Sequence, residues 1–527
     1  MKLPALFLAL LLVGCAAAPS LPLKLPYAAD APPEKFARAQ SYGRKFVIST
    51  DGEAATKAGE KMFALGGNSV DAAVAASFTI SVERPHSTGL GGGGFFLLYL
   101  AKEKKTLAYD FRERAPLRAS RDMFLDPTGA PVEGKSINGA LASGVPGLVA
   151  GLVEVQKRYG RLKLADVLAP AIELAETGFT VYPALAEALK ARAETLAQFS
   201  TTRKIFFSAA GVPLAAGELL VQRDLAQTLK LVARQGRAGF YSGVVAKEIA
   251  KSQKELGGLI TEKDLADYEV RSRIPVTNTF RGYEIASMPP PSSGGVHVVQ
   301  ILNILENDQL LNPAGPAEIH LQASAMQRAF ADRAEYLGDS DFVRVPVKEL
   351  SSKSYAARLR REISPENAQA SSLVKAGQPL APEPEHTTHL NVMDGEGNTV
   401  SSTQTINGWM GSGVVAGNTG VVMNNEMDDF SIKPGTANLY GSLGGEKNAI
   451  APRKRPLSSM SPTIVFQGGE PVLALGSPSG TRIISCVAQV IANRLIFNLP
   501  LFESVATIRY HHQWMPDEIR VDAPGFP

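Results

Sequence analysis

Apolar positions in the first two thirds of the chain recur mostly at helical spacing. They do so over 54–65, pause at Gly66-Gly67, and resume over 69–81, which predicts two consecutive helices. The run Phe95-Phe96-Leu97-Leu98-Tyr99-Leu100 is short, apolar and aromatic and predicts a buried strand. Helical patterning returns over 143–338, for example at 147–159 and 162–176, broken by the loop Pro289-Pro290-Pro291-Ser292-Ser293-Gly294-Gly295 and a helix after it. Near 363–386 the composition shifts to Ser, Pro, Ala and Glu and predicts an exposed, flexible loop, because proline cannot donate to a ladder. Immediately afterwards the period becomes two. Strands are expected at 388–393, 399–406, 420–423, 463–466 and 472–475, followed by a helix over 482–494. Helices first, strands late and a protease-accessible loop between them suggest one α/β unit assembled from two pieces.

Composition adds boundaries. With 527 residues, 45% apolar and 20% charged, the chain is an ordinary globular protein with a large core. Lys+Arg 54 against Asp+Glu 51 gives a net charge of +3, and no basic block points to nucleic acid. Lys2 and the apolar stretch 6–13 read as a targeting segment too short to span a bilayer. It ends in Leu12-Val13-Gly14-Cys15, which looks like a bacterial lipobox and implies lipid attachment to Cys15. The alternative is an ordinary secretory signal cut after one of the alanines at 16–18. Either reading places the mature protein outside the cytoplasm, and Ala16 suits a periplasmic protein lipid-anchored to the outer membrane. Residues 16–40 then form a Pro/Ala-rich tether. The second cysteine, Cys486, lies in an apolar stretch and reads as an inert core thiol.

Several motifs lead nowhere. Gly89-Leu90-Gly91-Gly92-Gly93-Gly94 has the glycine spacing of a dinucleotide loop, but a strand follows where that chemistry needs a helix N-terminus. A turn permitting close backbone approach is the better reading. His511-His512 would point to opposite faces of a strand, and no metal-ligand spacing occurs, so neither metal nor cofactor is expected. Asp428-Asp429 reads as a loop feature. The informative stretch is Thr387-Thr388-His389, where the Pro-rich loop meets the first late strand. A threonine hydroxyl is a poor nucleophile without a base beside it. A chain-terminal threonine carries one, since its α-amino group has a pKa of about 8. That chemistry requires a cut between His386 and Thr387; the plain alternative is a hydroxyl-rich strand start.

Longer blocks decide between them. Asp110-Phe111-Arg112-Glu113, Thr387-Thr388-His389, Asn424-Asn425-Glu426-Met427-Asp428-Asp429-Phe430, Lys454-Arg455-Pro456-Leu457-Ser458-Ser459-Met460-Ser461-Pro462-Thr463 and His511-His512-Gln513-Trp514 occur in the order found in the γ-glutamyltransferase family of N-terminal-nucleophile hydrolases, which the chain resembles over most of its length. The resemblance implies an α+β fold, a four-layer αββα sandwich assembled from a large piece (41–386) and a small piece (387–527). It implies self-cleavage before Thr387, attack by Thr387 on the γ-amide of glutathione or another γ-glutamyl amide, and transfer to water or an amino acid or dipeptide. Thr405 falls where the family hydrogen-bonds the nucleophile. Arg112, Ser458 and Ser459 match its partners for the substrate α-carboxylate. Glu426 and Asp429, with Asn407 nearby, match its partners for the α-ammonium. Ser479 and Gly480 match its oxyanion-binding turn, and residues 434–445 with Tyr440 match its lid.

Two departures stand out. Many family members carry two glycines where this chain has Ser479-Gly480, and a positive φ there would strain the serine. Typical small pieces also continue for several tens of residues beyond the equivalent of Pro527, which suggests a C-terminal truncation or a fragment. A cephalosporin-acylase-like amidase shares the fold and the threonine, although Arg112, Glu426 and Asp429 favour an amino-acid-like acyl group. An unprocessed, inactive binding lipoprotein is the reading from a different class.

Overall fold

The computed structural model describes residues 40–313, 315–375 and 387–522, so Cys15, most of the 16–40 stretch and His386 lie outside the described residues. Two antiparallel sheets carry the architecture. The first has six strands in the order β1-β7-β8-β2-β3-β4, where β1 is Phe46–Ser49, β2 Gly93–Leu100, β3 Lys105–Asp110, β4 Arg271–Arg273, β7 Thr388–Asp394 and β8 Thr399–Thr405. The second has four strands in the order β10-β9-β6-β5, with β5 at Val276–Phe280, β6 at Tyr283–Ser287, β9 at Thr463–Gln467 and β10 at Glu470–Leu475.

Strand alternation directs the packing. Phe96 and Leu98 of β2 face one core, together with helices α1 (Glu53–Ala64), α2 (Ser69–Glu83), α3 (Leu148–Tyr159) and α4 (Leu164–Thr177). Phe95, Leu97 and Tyr99 face the other core, shared with the second sheet and helices α5 (Gly294–Leu305), α6 (Pro316–Tyr336) and α7 (Arg482–Leu495). The Tyr99 ring meets Phe466 of β9 edge-on at 4.9 Å, tying the sheets together. Helix α2 is apolar and alanine-rich because it is buried on nearly every side. Asn68 caps it through a reciprocal box with Asp71.

Strand β8 is unusual in that all seven residues, Thr-Val-Ser-Ser-Thr-Gln-Thr, are buried. Its hydroxyls find partners: Ser401 donates to the Leu475 carbonyl at 3.1 Å and Ser402 to the Phe95 carbonyl at 3.0 Å. The glycine run before β2 is a close-approach turn. A Cβ at Gly91 would sit 2.1 Å from the Val422 carbonyl oxygen, and one at Gly92 2.0 Å from that of Thr405.

Several expectations need correction. Early strands are not limited to the predicted run at 95–100, since β1 and β3 to β6 also precede Thr387. Within the stretch read as helical, β4, β5 and β6 have three to five residues each and mixed exposure, too short for period two to register. Residues 420–423 form isolated pairings, Val415 with Val422 and Gly91 with Met423, instead of a strand. The loop before Thr387 is not wholly exposed: Ser371 is buried, and the Trp514 indole N–H donates to the carbonyls of Ser371 and Val374. Cys486 is half-buried on α7 instead of lying in the core.

Candidate active site

Pairing of β7 with β8 builds the centre. The register sets Gln404 opposite Thr388, so the next step along the ladder brings Thr405 beside Thr387. The Thr387 hydroxyl lies 3.4 Å from the Thr405 hydroxyl, and Thr405 Oγ1 accepts the Asn407 N–H at 2.9 Å. Asn407 adopts φ 69°, a left-handed conformation that asparagine tolerates, and its side-chain amide donates to the Asn425 carbonyl at 3.0 Å. Thr387 is buried and opens onto a cleft also lined by Arg112, Glu426, Asp429, Ser458 and Ser459.

Arg112 lies two residues past the end of β3 and is only 1% exposed. Its backbone N–H donates to the Asp110 carboxylate at 3.0 Å, and its guanidinium donates to the carbonyls of Pro456 and Leu457 at 3.4 and 3.2 Å. The same guanidinium forms ion pairs with Glu426 and Asp429 and lies 3.8 Å from Glu113. A single turn of 3₁₀ helix, Glu426–Asp429, lets both carboxylates converge on it. The sequence assigned Arg112 to one substrate group and the two acids to another, as separate devices. In the structure they are interlocked, because opposite charges buried together compensate one another.

Three carboxyl groups crowd one buried guanidinium. Burial pushes the Glu113 carboxyl up to about 7 against the pull of Arg112, and burial raises Glu426 as well. For Arg112, burial works to discharge the guanidinium, but Glu426, Asp429 and Glu113 outweigh it and keep it charged.

The turn Gly476-Ser477-Pro478-Ser479-Gly480 leads into α7, whose N-terminal dipole end begins just past Gly480. Gly480 lines the cleft; Ser479 stands beside it with φ 99°, a region a serine enters only under strain. Among the described residues no backbone carbonyl accepts from either N–H, which suits an oxyanion-binding pair. Tyr440 closes the cleft. Its hydroxyl donates to the Asn407 carbonyl at 3.1 Å, and a Cβ at Gly480 would come 2.4 Å from its ring. The cleft beneath it is narrow and partly open, with about 20 Å³ of free volume, room for about one water.

Two participants carried no usable signal in the sequence. Asp428, read as a loop feature, is buried. It accepts from Ser136 Oγ and the Leu439 N–H, both at 2.6 Å, and so anchors the segment before Tyr440. Burial raises its carboxyl to about 6. Arg333, one arginine in the 21-residue helix α6, reaches the same cleft. His511 and His512 do not share a site: His511 hydrogen-bonds Ser485 and Gln513, whereas His512 lies 3.4 Å from Asp517.

Comparison with known proteins shows the family. The sequence profile of the gamma-glutamyltranspeptidase family matches residues 55–527. The chain is 47% identical over 480 residues to a glutathione hydrolase proenzyme of Escherichia coli K12, covering 90% of this chain and 82% of that one. It superposes on the gamma-glutamyltranspeptidase of Helicobacter pylori with a TM-score of 0.62 and 44% identity, over 64% of this chain and 97% of that one. With the cephalosporin acylase of Bacillus halodurans the TM-score is 0.79 at 28% identity, covering 92% and 87%. A buried threonine at a strand start, a hydroxyl beside it and an arginine–carboxylate cluster across the same cleft thus occur in a chain that belongs to the gamma-glutamyltranspeptidase family.

Proposed function

We propose that this chain is a self-processing γ-glutamyltransferase and glutathione hydrolase, with a large piece of 41–386 and a small piece of 387–527. The observation that carries the reading is the shared cleft of Thr387, Thr405 and the Arg112–Glu426–Asp429 cluster. Cleavage between His386 and Thr387 frees the threonine α-amine, which takes the proton from its own hydroxyl as Oγ1 attacks the γ-amide carbonyl. The Ser479 and Gly480 N–H groups receive the developing oxyanion. The amine leaving group departs protonated, and water or an acceptor amine then attacks the resulting ester and regenerates Thr387. Arg112, Ser458 and Ser459 take the donor's α-carboxylate; Glu426, Asp429 and Asn407 take its α-ammonium. The packing of two cores on opposite faces of the six-stranded sheet supports a four-layer αββα sandwich.

The acylase relative raises the amidase alternative. The buried arginine–carboxylate set favours an acyl group that itself carries an ammonium and a carboxylate, as a γ-glutamyl group does. Denaturing electrophoresis with N-terminal sequencing tests the proposal. Two fragments are expected, the smaller beginning Thr387-Thr388-His389-Leu390, together with release of nitroaniline from γ-glutamyl-p-nitroanilide. A single intact chain without turnover would move an inactive binding lipoprotein to the front. The Leu12-Val13-Gly14-Cys15 motif supports a periplasmic, lipid-anchored protein. A Cys15→Ala variant is expected to leave the membrane fraction, and its retention there would refute the anchor.

A further inference from the structure

Arg333 projects from α6 into the cleft and donates three hydrogen bonds to serine hydroxyls on three separate segments. Nε reaches Ser293 Oγ at 2.9 Å, Nη1 reaches Ser442 Oγ at 2.6 Å, and Nη2 reaches Ser459 Oγ at 3.1 Å. Ser293 lies immediately before α5, Ser442 lies two residues past Tyr440, and Ser459 lines the cleft. Ser293 passes the connection on, since its hydroxyl donates to the Ser458 carbonyl at 2.8 Å. The covering segment is fixed to the same helix a second time, through the Gly445 N–H and the Ala334 carbonyl at 3.1 Å.

A guanidinium only donates. Each hydroxyl it engages is used as an acceptor at that bond and must aim its own hydrogen elsewhere. For Ser293 that hydrogen goes to Ser458. For Ser459 it is turned away from Arg333, and Ser459 lines the cleft. We propose that Arg333 is a positioning residue that sets the Ser459 hydroxyl as a donor toward the α-carboxylate of a γ-glutamyl substrate and ties that setting to closure of the Tyr440 segment through Ser442. The inference rests on the γ-glutamyl reading given above. Lysine cannot copy this role, because one ammonium cannot span three hydroxyls held by a planar fork.

The test uses the processed, full-length enzyme with γ-glutamyl-p-nitroanilide, with and without a dipeptide acceptor. Arg333→Lys and Arg333→Gln are expected to raise KM about tenfold, as loss of a charge-assisted bond would, with kcat within about threefold. Both should also raise the hydrolysed share of product when acceptor is present. Ser459→Ala should reproduce the KM effect, Ser442→Ala chiefly the change in hydrolysed share. In a double-mutant cycle, Arg333→Gln should add little to KM once Ser459 is alanine. Ser293→Ala, a smaller change, covers the case in which the arginine variants fail to fold, and should raise KM about threefold. Additive KM effects of Arg333→Gln and Ser459→Ala, or a normal KM in Arg333→Lys or Ser293→Ala, would overturn the positioning role. A processed wild-type enzyme that turns over no γ-glutamyl anilide would instead overturn the functional reading, and this inference with it.

Discussion

Replacing Ser479 with glycine isolates the energetic cost of one backbone conformation in the turn before α7. At φ 99° a residue with a Cβ carries a strain of about 1–3 kcal/mol, which glycine does not. Glycine gives back about 0.5–1 kcal/mol through the greater freedom of its unfolded chain. The net expectation is a stabilisation of about 1 kcal/mol. For a chain of 527 residues, at about 2 cal/mol/K of unfolding entropy per residue, this moves Tm by only about 1 °C. Urea unfolding of the processed protein is therefore the better assay, with Ser479→Ala as the control that keeps the Cβ and gains nothing. Because the backbone N–H survives the change to glycine, kcat for γ-glutamyl-p-nitroanilide should stay within about threefold. A Ser479→Gly protein less stable than wild type, or one losing more than about tenfold in kcat, would show that the serine side chain is needed. The strain argument would then fail.

Other expectations follow from the same geometry. Burial holds the Glu113 carboxyl up at about 7, so entry of a substrate ammonium beside Glu426 and Asp429 should favour its ionised form. KM should then rise as pH falls below about 7 and level off above it, and Glu113→Gln should flatten the profile; an unchanged profile in that variant would assign the proton elsewhere. For folding, the raised Glu113 carboxyl contributes stability that is fully present below its ordinary 4.5 and lost as pH rises through about 7, which urea titrations across that window would show. Thr405→Val removes the hydroxyl beside Thr387 and strands the Asn407 N–H, a loss of about 1.5–3 kcal/mol. The expected fall in kcat is about 10–100-fold with KM little changed, and stopped-flow acylation rates would check it. Tyr440→Phe keeps the ring on Gly480 but drops the bond to the Asn407 carbonyl. The hydrolysed share of acyl-enzyme should rise about threefold, and an unaltered product ratio would count against closure by that bond.

How much of this was legible in the sequence depends on the distance over which each signal acts. Helices α1 to α4 and strands β2, β7 and β8 declared themselves because periodicity is local and these elements are long or apolar enough to show it. The glycine turn before β2 was legible for the same reason, as crowding at Gly91 and Gly92 leaves no room for a side chain. Strands β4 to β6 were not, since three to five residues with exposed polar positions carry too little pattern. The threonine at a loop–strand junction and two acids three apart could also be read, whereas Arg112 stood out only through the family resemblance. Their partners could not be read. That Arg112 lies within the reach of Glu426 and Asp429, more than three hundred residues away, depends on β3 being buried in the first sheet and on a turn following β8. Arg333 is the extreme case, a single arginine whose three serine partners come from segments scattered over about 170 residues. The sequence by itself determined the longer elements and the chemistry available to them. Only the tertiary structure decided which charges neutralise one another, which hydroxyls are left to donate and how closely Tyr440 covers them, because those depend on burial and on distances that no local pattern encodes.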